Sequence, residues 1–249
     1  MYGLDLFSGI GGITKALEGY VTPVAYCEND RYAQGVLLSR MATRDLPIAP
    51  IWDDITTLDG RSFKNIDIIY GGFPCQDISV AGRGAGLAGE RSGLFFEIVR
   101  LIGEIRPRFV FLENVPAIRT RGASVVVGEL DRLWYDSRFD LISAAEVGSQ
   151  IAEGWRWFIM AKARTYGRIT TPLHAYTNNE SKRVSRKKRS GFRHLLKQDD
   201  GGKVWCFPDT CIKRGFDDVS VWMERLSAIG NAVVPAQARE AFERLMGLK

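Results

Sequence analysis

Short apolar runs alternate with helix-spaced segments along most of this chain, and glycine or proline marks each change. Tyr2–Phe7 is a short apolar run that ends in a glycine-rich turn and feeds a helical stretch to about Gly19. Val24–Cys27 reads as a second strand and Asp30–Met41 as a helix. Ile66–Tyr70 is a buried strand closed by Gly71-Gly72. Arg91–Ile105 has helical spacing and stops at Pro107; Phe109–Leu112 is again of strand type. Ser124–Tyr135 is helix-spaced, and Phe139–Val147 and Trp155–Ala161 read as strands. This alternation predicts an α/β fold with a doubly wound, mostly parallel sheet. In such sheets ligands bind outside the carboxyl ends of the strands. The chemically unusual residues here all follow strands.

With 249 residues, 45% of them hydrophobic, the chain can bury one full α/β domain plus an appendage. Charge locates the appendage. Residues 164–214 hold 13 Lys and Arg against 4 Asp and Glu, whereas the whole chain is only +5. The excess therefore lies in one segment, which is also rich in turn formers such as Asn178-Asn179 and Gly201-Gly202. A basic, aromatic-containing segment beside a near-neutral domain points to a polyanion partner; the plainer reading is a solvated loop. From Asp217 the helical pattern returns, with a closing helix over Ala236–Met246. The expected organisation is a domain over 1–163, a small basic region over 164–216, and a segment over 217–249 returning to the first domain.

Several classes are excluded. No apolar run of 18 or more residues predicts a membrane span. The opening MYGLDLFSG has neither a basic nor an apolar leader region, and four cysteines are too few for a disulfide scaffold. Both features read as a cytoplasmic protein. The two histidines, His174 and His194, leave no triad or His-rich metal site in the first two-thirds of the chain. Cys206 and Cys211 do not make a zinc signature without two further ligands, so no metal is expected. No P-loop pattern occurs, which disfavours nucleotide hydrolysis.

Three segments could carry chemistry. In Asp5-Leu6-Phe7-Ser8-Gly9-Ile10-Gly11-Gly12 a strand feeds a glycine turn, where backbone can approach a nucleotide-like cofactor closely. Glu28, about twenty residues on, fits a carboxylate that accepts ribose hydroxyls, or a helix-capping acid. Asp54 fits an acceptor for an adenine amino group, or an N-cap. In Gly71-Gly72-Phe73-Pro74-Cys75-Gln76 a cysteine follows a buried strand, as a nucleophile or as a structural thiol. In Phe111-Leu112-Glu113-Asn114-Val115-Pro116 an acid emerges from an apolar strand, where burial would raise its pKa and keep a proton available. An NAD-dependent oxidoreductase is a further reading of the glycine turn alone.

Together and in this order the segments resemble the cytosine-C5 DNA methyltransferase family. Asp5–Gly12 is similar to its motif I, Glu28 to motif II, and Asp54-Ile55 to motif III. Gly72–Gln76 is similar to its Pro-Cys motif IV and Glu113-Asn114-Val115 to motif VI. Gly230-Asn231-Ala232-Val233-Val234-Pro235 is similar to motif X. The resemblance covers about residues 3–161 and 217–246 and leaves out the basic segment, where this family carries its target-recognition region. There is one departure. Where the family shows Gln-x-Arg-x-Arg, this chain reads Gln150-Ile151-Ala152-Glu153-Gly154-Trp155-Arg156, so Arg156 is the second arginine and Gly154 stands at the first.

The resemblance implies a Rossmann-like, S-adenosylmethionine-dependent enzyme that methylates C5 of a flipped cytosine in double-stranded DNA, within a restriction-modification setting. It implies that the Cys75 thiolate adds to C6, that Glu113 holds the ring through N3 and the exocyclic amine, and that Arg156 bonds O2. The cofactor's adenine would lie near Phe7, Asp54 and Ile55, and its ribose at Glu28. Its methionine part would face Gly9, Ile10, Gly11, Gly12, Leu94 and the Asn231 loop, and S-adenosylhomocysteine would be the product. Ser79–Gly89 is expected to be a mobile loop that closes over DNA, and Lys182–Arg189 to contact phosphates. A monomer is the family's default. Two alternatives share these parts: a tRNA cytosine-C5 methyltransferase and a catalytically impaired DNA-binding relative.

Overall fold

The computed structural model describes residues 1–74, 93–148, 154–164 and 233–249, and the backbone of two short strands at 204–207 and 210–213. The chain divides into two compact units, Met1–Arg164 with Val219–Lys249, and Thr165–Asp218. In the second, β8 (Val204–Phe207) pairs antiparallel with β9 (Thr210–Lys213).

The first unit is built on a seven-stranded sheet. Its strands are β1 (Tyr2–Leu6), β2 (Thr22–Cys27), β3 (Ile51–Trp52), β4 (Ile68–Gly72), β5 (Phe109–Asn114), β6 (Tyr135–Ser143) and β7 (Trp155–Ala163). They lie in the order β3-β2-β1-β4-β5-β7-β6. Strands β1 to β5 run parallel, and β7 is antiparallel to both β5 and β6. The sheet is therefore mostly parallel, as the alternation of elements predicts. The chain builds outward from β1 to β3 and then returns to add β4 on β1's other side. That reversal opens a crevice at the carboxyl ends of β1 and β4, where ligands bind in sheets of this kind.

Six helices are described: α1 (Gly12–Ala16), α2 (Arg31–Ala42), α3 (Gly93–Ile105), α4 (Ile118–Arg121), α5 (Ala123–Arg132) and α6 (Pro235–Met246). Every residue of β5 is buried, and alternate side chains serve opposite faces. Val110 and Leu112 join Phe95, Ile98, Leu101 and Ile102 of α3 and Val126 and Leu130 of α5. Phe109 and Phe111 join Ile13 and Ala16 of α1 and Ala238, Ala241 and Phe242 of α6. The Phe111 ring lies parallel to Phe158, with centroids 5.6 Å apart, and meets Phe242 edge-on at 5.5 Å. Helix α6 thus closes one face of a sheet whose strands lie far away in sequence. Pro235 suits its first turn, and Gly247 at φ 72 ends it, with its N–H on the Arg244 carbonyl at 3.0 Å.

The Ser124–Tyr135 helix expected from spacing is shorter and is followed by a longer strand. Helix α5 ends at Arg132, and Trp134 takes a left-handed φ of 68. Tyr135 then begins β6, its hydroxyl donating to the Pro107 carbonyl at 2.6 Å. The expected strand over Phe139–Val147 is the second half of β6, and Ala145–Val147 is a 3-10 turn. No helix among the described residues is long and apolar enough to cross a membrane.

Truncating a fully buried aromatic loses its transfer energy and leaves a cavity. Phe242→Ala is expected to cost about 3–5 kcal/mol, read as a lower urea midpoint in equilibrium unfolding.

Candidate active site

The turn after β1 is shaped by backbone. Phe7, Gly9 and Gly11 have φ of 53, 53 and 83, three left-handed residues within five. Space around Gly9 is open, since a side chain added there would meet no atom within 4 Å, but its φ favours glycine. The turn is tied down from below. Ser8 N–H donates to the Cys27 carbonyl at 3.1 Å, and Gly11 N–H to the Ser8 carbonyl at 2.8 Å. Arg40 of α2 donates to the Ile10 carbonyl while paired with Asp45 at 2.7 Å, a brace that sequence patterning does not reveal.

Glu28 sits directly behind this turn and is 9% exposed. One carboxylate oxygen accepts from Gly9 N–H at 2.6 Å and the other from Asp30 N–H at 2.8 Å. Its motif-I and motif-II partners are therefore in contact. Each oxygen keeps a second lone pair. Phe7, Ile55 and Leu94 all pack on the apolar cluster covering the α3 and α5 face of the sheet. Asp54 is exposed and caps its own turn: Oδ1 accepts from Thr56 N–H at 2.9 Å and Thr56 Oγ1 at 2.7 Å. These bonds hold its pKa below the usual carboxylate value. Val233 lies beside Gly12. A methyl group placed on Gly12 would stand 3.1 Å from Val233 Cγ1 and 3.2 Å from its carbonyl oxygen. The Val233 end of the Gly230–Pro235 motif thus reaches the glycine turn. Asn231, Cys75, the Ser79–Gly89 loop and Lys182–Arg189 lie outside the described residues.

At the carboxyl end of β5, Glu113 is 7% exposed. It pairs in register with Gly72 of β4 on one side and Phe158 of β7 on the other. Gly72 makes room for it, because a Cβ there would stand 2.5 Å from Glu113 Oε2. Arg156 of β7 approaches Glu113 Oε1 at 3.3 Å as an ion pair. That oxygen otherwise has no hydrogen-bond partner among the described residues. Burial pushes the Glu113 carboxyl up to about 7, with Arg156 pulling in the opposite direction. Next along β5, Asn114 donates through Nδ2 to the Phe73 carbonyl at 2.8 Å and accepts Val115 N–H at 2.8 Å. It fixes the end of β5 to the chain two residues before Cys75, another link that sequence reading missed.

A second buried carboxyl lies under the glycine turn. Asp5 is 1% exposed, and Thr14 Oγ1 donates to its Oδ2 at 2.6 Å while also meeting the Tyr70 hydroxyl at 2.8 Å. Burial raises Asp5 to about 7, against the lowering effect of Thr14. Cys27 is buried, and burial followed by the Glu28 charge pushes its thiol up to about 12. It is therefore not a nucleophile at neutral pH.

Burial raises the pKa values of Asp5 and Glu113 in the folded state above their ordinary 3.8 and 4.5. The folded state binds these protons more tightly than the unfolded chain, so their contribution is full below about pH 4 and is lost as pH rises through about 7. The ion-paired carboxylates with lowered values, such as Asp45 and Glu240, are already ionised in that window. Stability is expected to fall between pH 5 and 8. Asp5→Asn is expected to reduce that slope and raise stability at pH 8 by on the order of 1 kcal/mol, read from urea midpoints at the two pH values.

The model of the C-5 cytosine-specific DNA methylase family matches residues 1–167. Type II methyltransferase M.CviJI of Paramecium bursaria Chlorella virus IL3A is 35% identical over 165 residues, covering 66% of this chain and 43% of the relative. Type II methyltransferase M.HhaI of Haemophilus parahaemolyticus is 33% identical over 150 residues, 58% of this chain and 44% of the relative. The matched part spans less than half of either relative. Among solved structures, the S. pombe Dnmt2 methyltransferase superposes with a TM-score of 0.55 at 20% identity, covering 68% of this chain and 52% of its own. At that identity the likeness is one of fold. The sheet order, the glycine turn on Glu28 and the Glu113–Arg156 pair occur in a chain whose first 167 residues match that family model, and the chain belongs to the C-5 cytosine-specific DNA methylase family.

Proposed function

We propose that this chain methylates C5 of cytosine in double-stranded DNA, with S-adenosylmethionine as donor and Cys75 as a transient covalent nucleophile. The observation that carries the reading is the desolvated Glu113 carboxyl facing Arg156, at the end of the strand that Asn114 ties to Phe73. A carboxyl poised near neutral pH can both give and take a proton. The family whose model matches residues 1–167, C-5 cytosine-specific DNA methylase, supports the substrate class.

The residues present fit the donor. Glu28 has lone pairs to spare for the ribose hydroxyls, and Asp54 Oδ2 takes no bond among the described residues and suits an amino group. Phe7, Ile55 and Leu94 offer apolar surface to adenine. Gly9, Ile10, Gly11, Gly12 and the Asn231 loop would face the methionine part. When bound, the donor supplies an electrophilic methyl carried on a sulfonium.

C5 of cytosine is a poor nucleophile, and the chain's own residues correct that. The base must leave the duplex to reach a crevice at the carboxyl ends of the strands. The Cys75 thiolate forms a bond to C6, and the C5–C6 electron pair moves into the ring. Glu113 delivers a proton to N3, which neutralises the developing charge and leaves an enamine whose C5 can attack. Arg156 donates to O2. Once C5 is methylated, water removes the C5 proton. The C5–C6 double bond re-forms, the thiolate is expelled, and the N3 proton returns to Glu113. Region 164–216, with Lys182–Arg189, would supply phosphate contacts and target choice. A modification role within a restriction system fits relatives named Type II methyltransferases.

The test is trapping on duplex DNA carrying 5-fluorocytosine together with the donor. Fluorine cannot leave as a proton does, so the active protein stays bonded to DNA as a slower band in denaturing gels. Cys75→Ser is expected to abolish the band, and Glu113→Gln to slow its formation about 100-fold or more. No band from the wild-type protein on DNA overturns the reading, and a band on tRNA alone moves it to the RNA alternative.

A further inference from the structure

The segment carrying Asp54 and Ile55 follows a strand of only two residues, β3, which sits at the edge of the sheet. Two residues cannot hold a loop in one shape, yet Ile55 is 5% and Leu58 3% exposed. Beyond the turn bonds that Asp54 makes, a side chain on another element ties the loop down. Arg100 of α3 donates through Nη2 to the Ile55 carbonyl at 2.9 Å and through Nη1 to the Leu58 carbonyl at 3.0 Å. Its own orientation is fixed by Glu97, which accepts from Nε at 2.6 Å, and by Glu104, which accepts from Nη1 at 3.0 Å. Glu104 also accepts Gly60 N–H at 2.8 Å, so the same cluster holds the far end of the loop. On the outer side, the Trp52 indole N–H is shared between the Asp54 carbonyl and Thr57 Oγ1, both at 3.0 Å.

We propose that Arg100 and Trp52 are positioning residues for the adenine end of the donor: they hold the Asp54–Leu58 loop in its binding shape before the ligand arrives. This rests on the reading above that the loop meets adenine. Neither residue needs to touch the ligand. A planar guanidinium with several fixed donors can span two carbonyls and two carboxylates at once; a lysine ammonium cannot reproduce that fork. The free-energy cost of ordering the loop is thereby met during folding, and binding is tighter for it. The same helix carries Leu94 in its first turn, so the adenine loop and Leu94 are set by one rigid element.

The test measures S-adenosylhomocysteine binding by calorimetry and steady-state kinetics for Arg100→Gln, Arg100→Lys and Trp52→Phe in the full chain, with thermal melts without ligand to follow folding. Arg100→Gln is expected to weaken ligand binding and raise the donor KM about tenfold. The DNA KM and kcat at saturating donor should stay within about twofold, a split that a general loss of stability does not produce. Arg100→Lys should recover only part of the affinity. Trp52→Phe keeps an aromatic ring, removes both indole N–H bonds at a half-exposed site and should weaken binding about threefold. Folded variants that bind like the wild type overturn the inference. If both Arg100 variants fail to fold, unchanged binding by Trp52→Phe overturns it. A wild-type protein that binds neither S-adenosylhomocysteine nor S-adenosylmethionine refutes the donor assignment itself, and the positioning role with it.

Discussion

A carboxyl group taken out of water at the carboxyl end of a buried central strand must be neutral, paired, or both. Glu113 meets that constraint in a way that sets the rest of the site. Its strand is buried on both faces, so its charge is poorly solvated, and the compensating cation among the described residues is Arg156 on the antiparallel neighbour. Burial outweighs the cation, and the group is left near 7. Glycine at position 72 is needed so that the carboxyl fits against β4 at all. The strand that provides this space ends at Gly72, and Asn114 bonds the Phe73 carbonyl just beyond it. The end of the strand carrying the acid is thus tied by the Asn114 side chain to Phe73, two residues before Cys75 in sequence.

The donor side follows the same logic with different parts. A turn with three left-handed residues is intrinsically poor at holding one shape. It is held by Glu28, by the Cys27 carbonyl, by Arg40 and by the C-terminal Val233. The second loop is held by Arg100 and Trp52. In both cases a rigid helix fixes carbonyl oxygen of a loop through a guanidinium.

Much of this was legible in the sequence because period and punctuation report burial directly. The runs at 24–27, 109–112 and 155–161 lie in strands of the one sheet, those at 2–7 and 66–70 overlap β1 and β4, which span Tyr2–Leu6 and Ile68–Gly72, and the Glu113 environment follows from an acid placed at the end of an apolar strand. The boundary near 132–135 was not legible. It depends on Trp134 adopting a left-handed conformation, and local sequence gives no sign of that. Nor were Arg40, Arg100 and Asn114 legible, since each acts on a carbonyl 30 to 45 residues away in sequence. Such contacts have no periodic signature. Cys75 and Asn231 rest on their motifs.

The claim beneath the account is that the end of β5 keeps a carboxyl close to half-protonated at neutral pH. The direct measurement is a titration of the Glu113 carboxyl carbon by NMR, using glutamate labelled at that carbon and assigning the resonance by its loss in Glu113→Gln. The account predicts a midpoint near 7, moving upward when Arg156 is replaced by glutamine, because the cation is the group that holds the value down. A midpoint at the ordinary glutamate value of about 4.3, unmoved by Arg156→Gln, would contradict it.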